Sequence, residues 1–107
     1  MINEQKIYGL LGLATKAGKI ATGNEACCEG VEKKTVKLVL VATDAAERTK
    51  KMLKEKCKQF VVPIYEIATI EQLSSAIGKP NKAVIGIKEK GFAEAIRKII
   101  NGGAAIG

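Results

Sequence analysis

Residues 36–42 read VKLVLVA, and this stretch decides the fold. Within it, Leu38–Ala42 is the longest apolar run in the chain. A short, nearly continuous run of β-branched and aliphatic residues predicts a central strand that is buried on both faces. The chain has no Trp and is only 4% aromatic, so Ile, Val, Leu and Ala must build the core around this strand. That mixture favours an α/β sandwich over a barrel with aromatic anchors.

Helical and extended patterns alternate on both sides of the central strand. Predicted helices are 4–16, about 24–33, one beginning after Asp44, one from Thr69 to Gly78, and 92–101. Predicted strands are 20–21, 36–42, 61–67 and 82–87. Short connections between alternating elements predict a single domain, residues 1–107, with a three-layer α/β/α sandwich fold.

Capping residues predict where three of the helices begin. An oxygen-bearing side chain is followed three positions later by Glu or Gln, as in a capping box or a related N-cap. The pairs are Thr22 and Glu25, Asp44 and Glu47, and Thr69 and Gln72. Gly78 is expected to end the fourth helix, and the segment from Gly102 onward is expected to fray.

Side-chain spacing predicts which faces are buried. In the third helix, the inner face is expected to hold Thr49, Met52, Leu53 and Cys57, and the outer, solvated stripe Lys50, Lys54 and Lys58. In the last helix, Phe92, Ile96, Ile99 and Ile100 are expected to face inward. Pro63 cannot donate a ladder hydrogen bond, so it predicts an edge strand or a strand start.

The charge balance limits the classes of partner. The formal net charge is +7 and the pI is about 9.4, which favours a polyanionic partner such as nucleic acid or an anionic membrane surface. Basicity for solubility alone is the other interpretation. The sequence has neither a signal-peptide apolar region nor a run of membrane-span length, so a cytoplasmic location is expected.

Enzyme chemistry has little support in the composition. The chain contains no His, the usual general base. Its three cysteines include an adjacent pair and no CxxC spacing, which argues against a disulfide framework and a zinc site. Buried free thiols, no catalytic residue, no metal and no cofactor are therefore expected.

Two loops are candidate binding surfaces. Residues 21–25 place Gly23 before a helix N-terminus, where a phosphate backbone can approach closely and N–H groups are free. The Asn24 and Glu25 side chains can hydrogen-bond base edges. The competing interpretation is a plain helix cap. Residues 78–82, GKPNK, form a short basic turn or an ordinary helix stop.

Three separated segments resemble one family in order and spacing: GLATKAGKIATG at 12–23, KLVLVATDAAERTKKML at 37–53 and IGKPNKAVIGIKEKGFA at 77–93. The family is that of the kink-turn-binding ribosomal proteins, which includes large-subunit proteins 7Ae and 30e. The likeness is strongest to its small bacterial branch of YlxQ-type proteins. The resemblance implies an α/β/α sandwich around a four-stranded mixed sheet. It also implies binding to structured RNA, typically a kink-turn, and it leaves open whether that RNA is ribosomal.

The resemblance also implies the contact residues. Family members hold the RNA with the loop before the second helix and with the loop before the last strand. Carried onto this chain, these are Gly23, Asn24 and Glu25, and then Lys79, Pro80, Asn81 and Lys82. Thr43 and Asp44 lie near the same end in the family fold, and Lys16 and Lys19 are expected to add phosphate attraction.

One position departs from the family pattern. The best-studied members read Gly-x-Asn-Glu with a Lys six residues after the Gly, whereas Glu29 holds that Lys position here. When the chain is aligned on Gly23 and the central strand, Glu25 and Ala26 stand at the family's Asn and Glu positions. A shift by one residue would restore Asn-Glu but would misalign Gly23 and the central strand.

Three functions are therefore compared. The first is non-enzymatic recognition of a bent RNA in the bacterial translation machinery, with no membrane or DNA partner. The second is a protein-interaction or regulatory role on the same fold, which the carboxylate of Glu29 favours. The third, a small enzyme acting on a phosphorylated ligand, has the least support. The sequence does not predict the oligomeric state.

Overall fold

The structure, a computed structural model, describes the backbone of residues 3–105 and the side chains of residues 3–102. Within this range the chain forms five helices and four strands that alternate along the sequence. The helices are α1 (Glu4–Lys16), α2 (Asn24–Glu32), α3 (Glu47–Phe60), α4 (Ile70–Ile77) and α5 (Lys90–Ala105). The strands are β1 (Ile20–Thr22), β2 (Leu38–Val41), β3 (Ile64–Glu66) and β4 (Val84–Ile87).

The four strands form one mixed sheet in the order β1-β4-β2-β3. β2 pairs parallel with β3, whereas β4 pairs antiparallel with both β1 and β2. Helices α1, α4 and α5 pack together on one face, and α2 and α3 pack together on the other. The predicted three-layer α/β/α sandwich with a four-stranded mixed sheet is therefore confirmed. β3 is an edge strand, as Pro63 predicted.

The core lies on both faces of β2 and β4. All four residues of each strand are buried, which confirms the interpretation of the VKLVLVA segment. Val36, just before β2, lies so close to Gly30 that a Cβ on that glycine would sit 2.3 Å from its Cγ2. The absent side chain at Gly30 lets α2 pack directly against the chain entering β2.

Two of the three predicted caps are wrong, because the residues concerned have other partners. Thr22 ends β1, where it pairs with Ile85, and Gly23 is the N-cap of α2. α3 begins after Ala46, and neither Gly23 nor Ala46 makes a side-chain cap. The Thr69–Gln72 capping box is confirmed, with Gln72 N–H donating to Thr69 Oγ1 at 3.1 Å and Thr69 N–H donating to Gln72 Oε1 at 2.9 Å.

Tertiary contacts also correct several faces and ends. Lys50, predicted to be solvated, is 7% exposed, whereas Met52, predicted to be inward, is 41% exposed. Val61 is the left-handed C-cap of α3 and is not part of a strand. Helix α5 runs to Ala105, beyond its predicted end at residue 101; residues 106 and 107, part of the segment expected to fray, lie outside the described residues.

Candidate functional site

Three loops meet at one end of the sheet, and backbone hydrogen bonds hold them there. Gly23 N–H, after β1, donates to Val84 O at the start of β4 (3.0 Å). Ala42 N–H, after β2, donates to Ala83 O (2.8 Å). The loops are residues 22–25, 42–46 and 79–83, here called the three-loop surface. Because β4 is antiparallel to β1 and β2, the ends of those two strands meet the start of β4.

The first loop presents a helix N-terminus. Gly23 has φ 92° and ψ 163°, a conformation that is essentially restricted to glycine. Asn24 and Glu25, in the first turn of α2, are exposed. Asn24 Nδ2 lies 3.4 Å from Thr49 Oγ1 on α3, so the first turns of α2 and α3 are neighbours.

The second loop is held from below. The backbone N–H and the Oγ1 of Thr43 both donate to Ala68 O, at 2.8 and 2.9 Å. Asp44, predicted to cap α3, caps α4 through a 2.8 Å hydrogen bond from Ile70 N–H to its Oδ1. Both residues are exposed at the surface.

Lys50 is the buried support of this second loop. Its Nζ donates to Thr43 O at 2.5 Å and pairs with Glu66 at 3.1 Å and Glu47 at 3.3 Å. The hydrogen bond with Glu66 raises the pKa of Lys50 above its ordinary value. Hydrogen bonds from Lys50 and then Lys54 lower the pKa of Glu66. The sequence interpretation missed Lys50, on α3, because its acidic partner Glu66 lies on a different element, β3.

The third loop carries the basic turn. Lys79, Pro80 and Asn81 are exposed, and Asn81 has a positive φ of 56°. Lys82 is tied back to α4, with its N–H donating to Ser74 Oγ at 2.8 Å. The loop therefore presents its polar tip at the same end of the sheet as Gly23.

Lys16 and Lys19 lie at the opposite end of the sheet. Lys19 precedes β1, and its carbonyl accepts from Lys88 N–H after β4 at 2.8 Å. Lys16 closes the last turn of α1 just before it. One length of β1 separates these two lysines from Gly23, so of the predicted site residues they alone stand apart from the three-loop surface.

The charges around the three-loop surface are segregated. α2 and α3 run parallel, since Asn24 contacts Thr49 at one end and Glu32 pairs with Lys56 at the other. The outward side of α2 carries Glu25 and Glu29, one turn apart, and among the described residues Glu29 pairs only with Lys33, at 3.8 Å. Next to this acidic stripe, α3 exposes Arg48 and Lys51, two residues that sequence reasoning did not select.

The two buried thiols, Cys27 and Cys57, are poor nucleophiles, and Cys28, which is half-buried and not buried as expected, also has its pKa raised by desolvation. Burial raises the pKa of Cys27 to about 12 and that of Cys57 to about 11, which keeps both thiols neutral near pH 7. Across the described side chains, no group of three or more Cys, Asp or Glu residues could hold a metal ion. No helix in the described range is long and apolar enough to cross a membrane. The three-loop surface itself offers first-turn N–H groups of α2, the exposed Asn24 amide and the exposed Lys79 ammonium to an anion.

Comparisons with known proteins agree on one family. The model of the "Ribosomal protein L7Ae/L30e/S12e/Gadd45 family" matches residues 5–97. The chain is 41% identical over 100 residues to "RNA-binding protein YlxQ" of Enterococcus faecium, covering 94% of this chain and 96% of that protein. It is 30% identical over 94 residues to the protein of the same name from Bacillus subtilis strain 168, covering 88% and 94%.

Two solved structures share the fold. One is described as a protein with unknown function from Bacillus halodurans C, with TM-score 0.87, 36% identity, and coverage of 90% of this chain and 97% of that chain. The other is the "Giardia lamblia 15.5kD RNA binding protein", with TM-score 0.79, 18% identity, and coverage of 97% and 89%. At 18% identity the second likeness shows the fold alone.

Proposed function

The chain belongs to the ribosomal protein L7Ae/L30e/S12e/Gadd45 family, as a YlxQ-type member, and we propose that it is a non-enzymatic RNA-binding protein. Its target is a kink-turn or a similarly bent structured RNA, ribosomal RNA being one candidate, and its setting is the translation machinery of the bacterial cytoplasm. The observation that carries this proposal is the convergence of three exposed loops at one end of a rigid sheet, next to the N-termini of α2 and α3.

The three-loop surface suits a bent phosphate backbone. Neither α2 nor α3 has a side-chain cap, so first-turn N–H groups and the positive ends of two neighbouring helix dipoles can meet phosphate. A glycine at the start of α2 leaves room for the backbone to approach closely. Low aromatic content favours recognition of shape over base stacking.

The loop residues divide the work of recognition. Gly23 admits the backbone, and Asn24 and Glu25 hydrogen-bond base edges in the bend. Thr43 and Asp44 contact the RNA from the second loop. Residues Lys79–Lys82 pack against the base that the bent RNA turns out of its helix, and their lysines supply positive charge. Lys16 and Lys19, at the far end of the sheet, contribute only long-range attraction.

The second candidate is a protein-interaction or regulatory role on the same fold. Glu25 and Glu29 favour it, because carboxylates on the exposed side of α2 repel phosphate. Under this alternative the protein would fail to retain structured RNA at low salt and would retain a defined protein partner.

A titration with labelled kink-turn RNA at several salt concentrations tests the proposal. In the control RNA, the tandem sheared G·A pairs that form the kink-turn are replaced by Watson–Crick pairs. Clear preference for the kinked RNA, reduced by Gly23→Ala and Lys79→Gln but retained by Lys16→Gln, is the expected result. Equal, steeply salt-dependent binding to both RNAs would show charge attraction without recognition and would reject the proposal.

A further inference from the structure

The exposed side of α2 is unsuited to an RNA backbone. Glu25 and Glu29 are one turn apart, and so lie on the same side of the helix. Lys33, the cation one turn further on, is 3.8 Å from Glu29 and so is already paired. A strand that leaves the three-loop surface along α2 would therefore pass from Glu25, at the edge of that surface, to Glu29 before it met a cation.

The neighbouring helix offers the opposite charge. Arg48 and Lys51 are exposed, three residues apart and therefore on the same side of α3, in its first two turns. No carboxylate among the described side chains pairs with either of them, whereas Glu66 pairs with Lys54 and Glu32 pairs with Lys56. Their arrangement leaves two cations free to meet an external anion.

The two cations lie beside the three-loop surface. Arg48 precedes Thr49, whose hydroxyl oxygen contacts Asn24 at the start of α2. Lys51 follows on the next turn, which carries the positive side away from the sheet end along α3. Acidic residues lie one turn to either side of Lys51: Glu47, which pairs with Lys50 at 3.3 Å, and Glu55, which marks where the attraction ends.

Building on the proposed function, we propose that the RNA strand leaving the bend follows α3, with Arg48 and Lys51 bound to neighbouring phosphates. Residues three apart on a helix place their Cβ atoms about 5–6 Å from each other, and the long side chains reach further. The carboxylates of α2 then exclude the strand from the path beside them. The three-loop surface then still holds the bend, whereas the phosphate contacts beside it are made by α3 and not by α2, where Glu29 holds the family's Lys position.

The salt dependence of affinity tests this path. The double variant Arg48→Gln, Lys51→Gln is titrated against kink-turn RNA from about 0.05 to 0.5 M salt. Losing two phosphate contacts should reduce the slope of log K against log[salt] by about 1.4–1.8. At 0.1 M salt this corresponds to a loss of about 5- to 8-fold in affinity for each contact, a loss that shrinks as salt rises toward 1 M.

A matched variant controls for net charge. Lys6→Gln, Lys98→Gln removes two exposed positive charges from α1 and α5, the layer on the other face of the sheet. It should leave the slope within about 0.3 of the wild-type value. Thermal unfolding of both double variants should match wild type, since all four side chains are exposed.

A third variant asks whether the strand lies along α2 instead. Glu29→Gln removes a carboxylate from the rejected path; it should leave the slope within about 0.3 of the wild-type value and raise affinity only slightly, through weaker repulsion. A steeper slope for Glu29→Gln, or equal slopes for the two double variants, would overturn the α3 path. Because the slope is measured on any RNA the protein binds, this result is separate from the preference for kinked RNA on which the proposed function depends.

Discussion

Replacing Gly23 with Ala tests the strained start of α2. At φ 92° and ψ 163°, Gly23 occupies a region that costs other residues about 1–3 kcal/mol. A Cβ placed there meets no atom within 4 Å, so the cost is backbone strain without a clash. We therefore expect Gly23→Ala to lower the free energy of unfolding by about 1–3 kcal/mol, or roughly 4–8 °C in Tm for each kcal/mol.

The same change should weaken RNA binding. Gly23 N–H donates to Val84 O at 3.0 Å, and Gly23 O accepts from Cys27 N–H at 3.1 Å, so the residue joins the sheet to the first turn of α2. If the variant relieves the strain by moving this loop, binding must restore the original conformation. The share of that strain which the free protein relieves then reappears on binding, as an affinity loss of up to roughly 150-fold.

Two other glycines serve as controls that distinguish the effect of backbone strain from the effect of location at the three-loop surface. Gly18, at φ 70°, follows α1 at the opposite end of the sheet and also has free space around its missing Cβ. Gly18→Ala should lower stability by about 1–2 kcal/mol and leave RNA affinity unchanged. Gly9→Ala, in open space on α1, should raise stability by about 0.8–1.0 kcal/mol.

Urea unfolding and RNA titration on the same preparations give the answer. The three variants should shift the urea midpoint without changing the m-value. Wild-type stability in Gly23→Ala would refute the strain argument. An affinity loss in Gly18→Ala equal to that in Gly23→Ala would refute the link between this loop and RNA.

The remaining predictions concern buried ionisable groups. Lys50→Met should destabilise the protein more than Lys54→Met, because Lys50 supports Thr43 and Lys54 does not. The lowered pKa of Glu66 stabilises the fold at pH values above the ordinary carboxyl range, and this stability is lost as the pH falls below that range. Lys50→Met should make this acid-dependent loss smaller, which urea unfolding from pH 3 to 7 would measure. Burial raises the thiol pKa values of Cys27 and Cys57 to about 12 and about 11, so both thiols ionise at lower pH in the unfolded chain than in the folded protein. The free energy of unfolding should therefore fall above pH 9, by up to about 1.4 kcal/mol per pH unit for each thiol. Urea unfolding at pH 8 to 11 would measure this fall, which should be smaller in Cys57→Ala.

Features set by neighbours in the sequence could be predicted from the sequence alone. The Thr69–Gln72 box, the glycine that ends α4 and the α1 boundaries all depend on residues within one or two turns of each other. The doubly buried β2 was also predictable, because its apolar residues are consecutive. The resemblance of three separated segments added the mixed sheet and the loops that meet at its end.

Features set by distant partners could not be predicted. Asp44 has the spacing of an α3 cap, but parallel pairing of β2 with β3 brings Ile70 N–H to its carboxylate. Lys50 fits an exposed stripe on a helical wheel, yet Glu66, sixteen residues away on β3, draws it inward. In both cases the deciding contact joins elements whose relative placement depends on the sheet topology.

The hydrogen bonds of the three-loop surface explain how its charges can change without loss of the fold. Gly23 is held by the backbone of Val84 at the start of β4, and Ala42 by the backbone of Ala83 just before it. The second loop is held by Ala68 O and by buried Lys50. None of these bonds uses the side chain of an exposed residue on the outer sides of α2 and α3. Exposed substitutions of this kind change stability by only about ±0.5 kcal/mol. Carboxylates can therefore occupy α2 while cations occupy α3, and the frame that positions the loops stays the same.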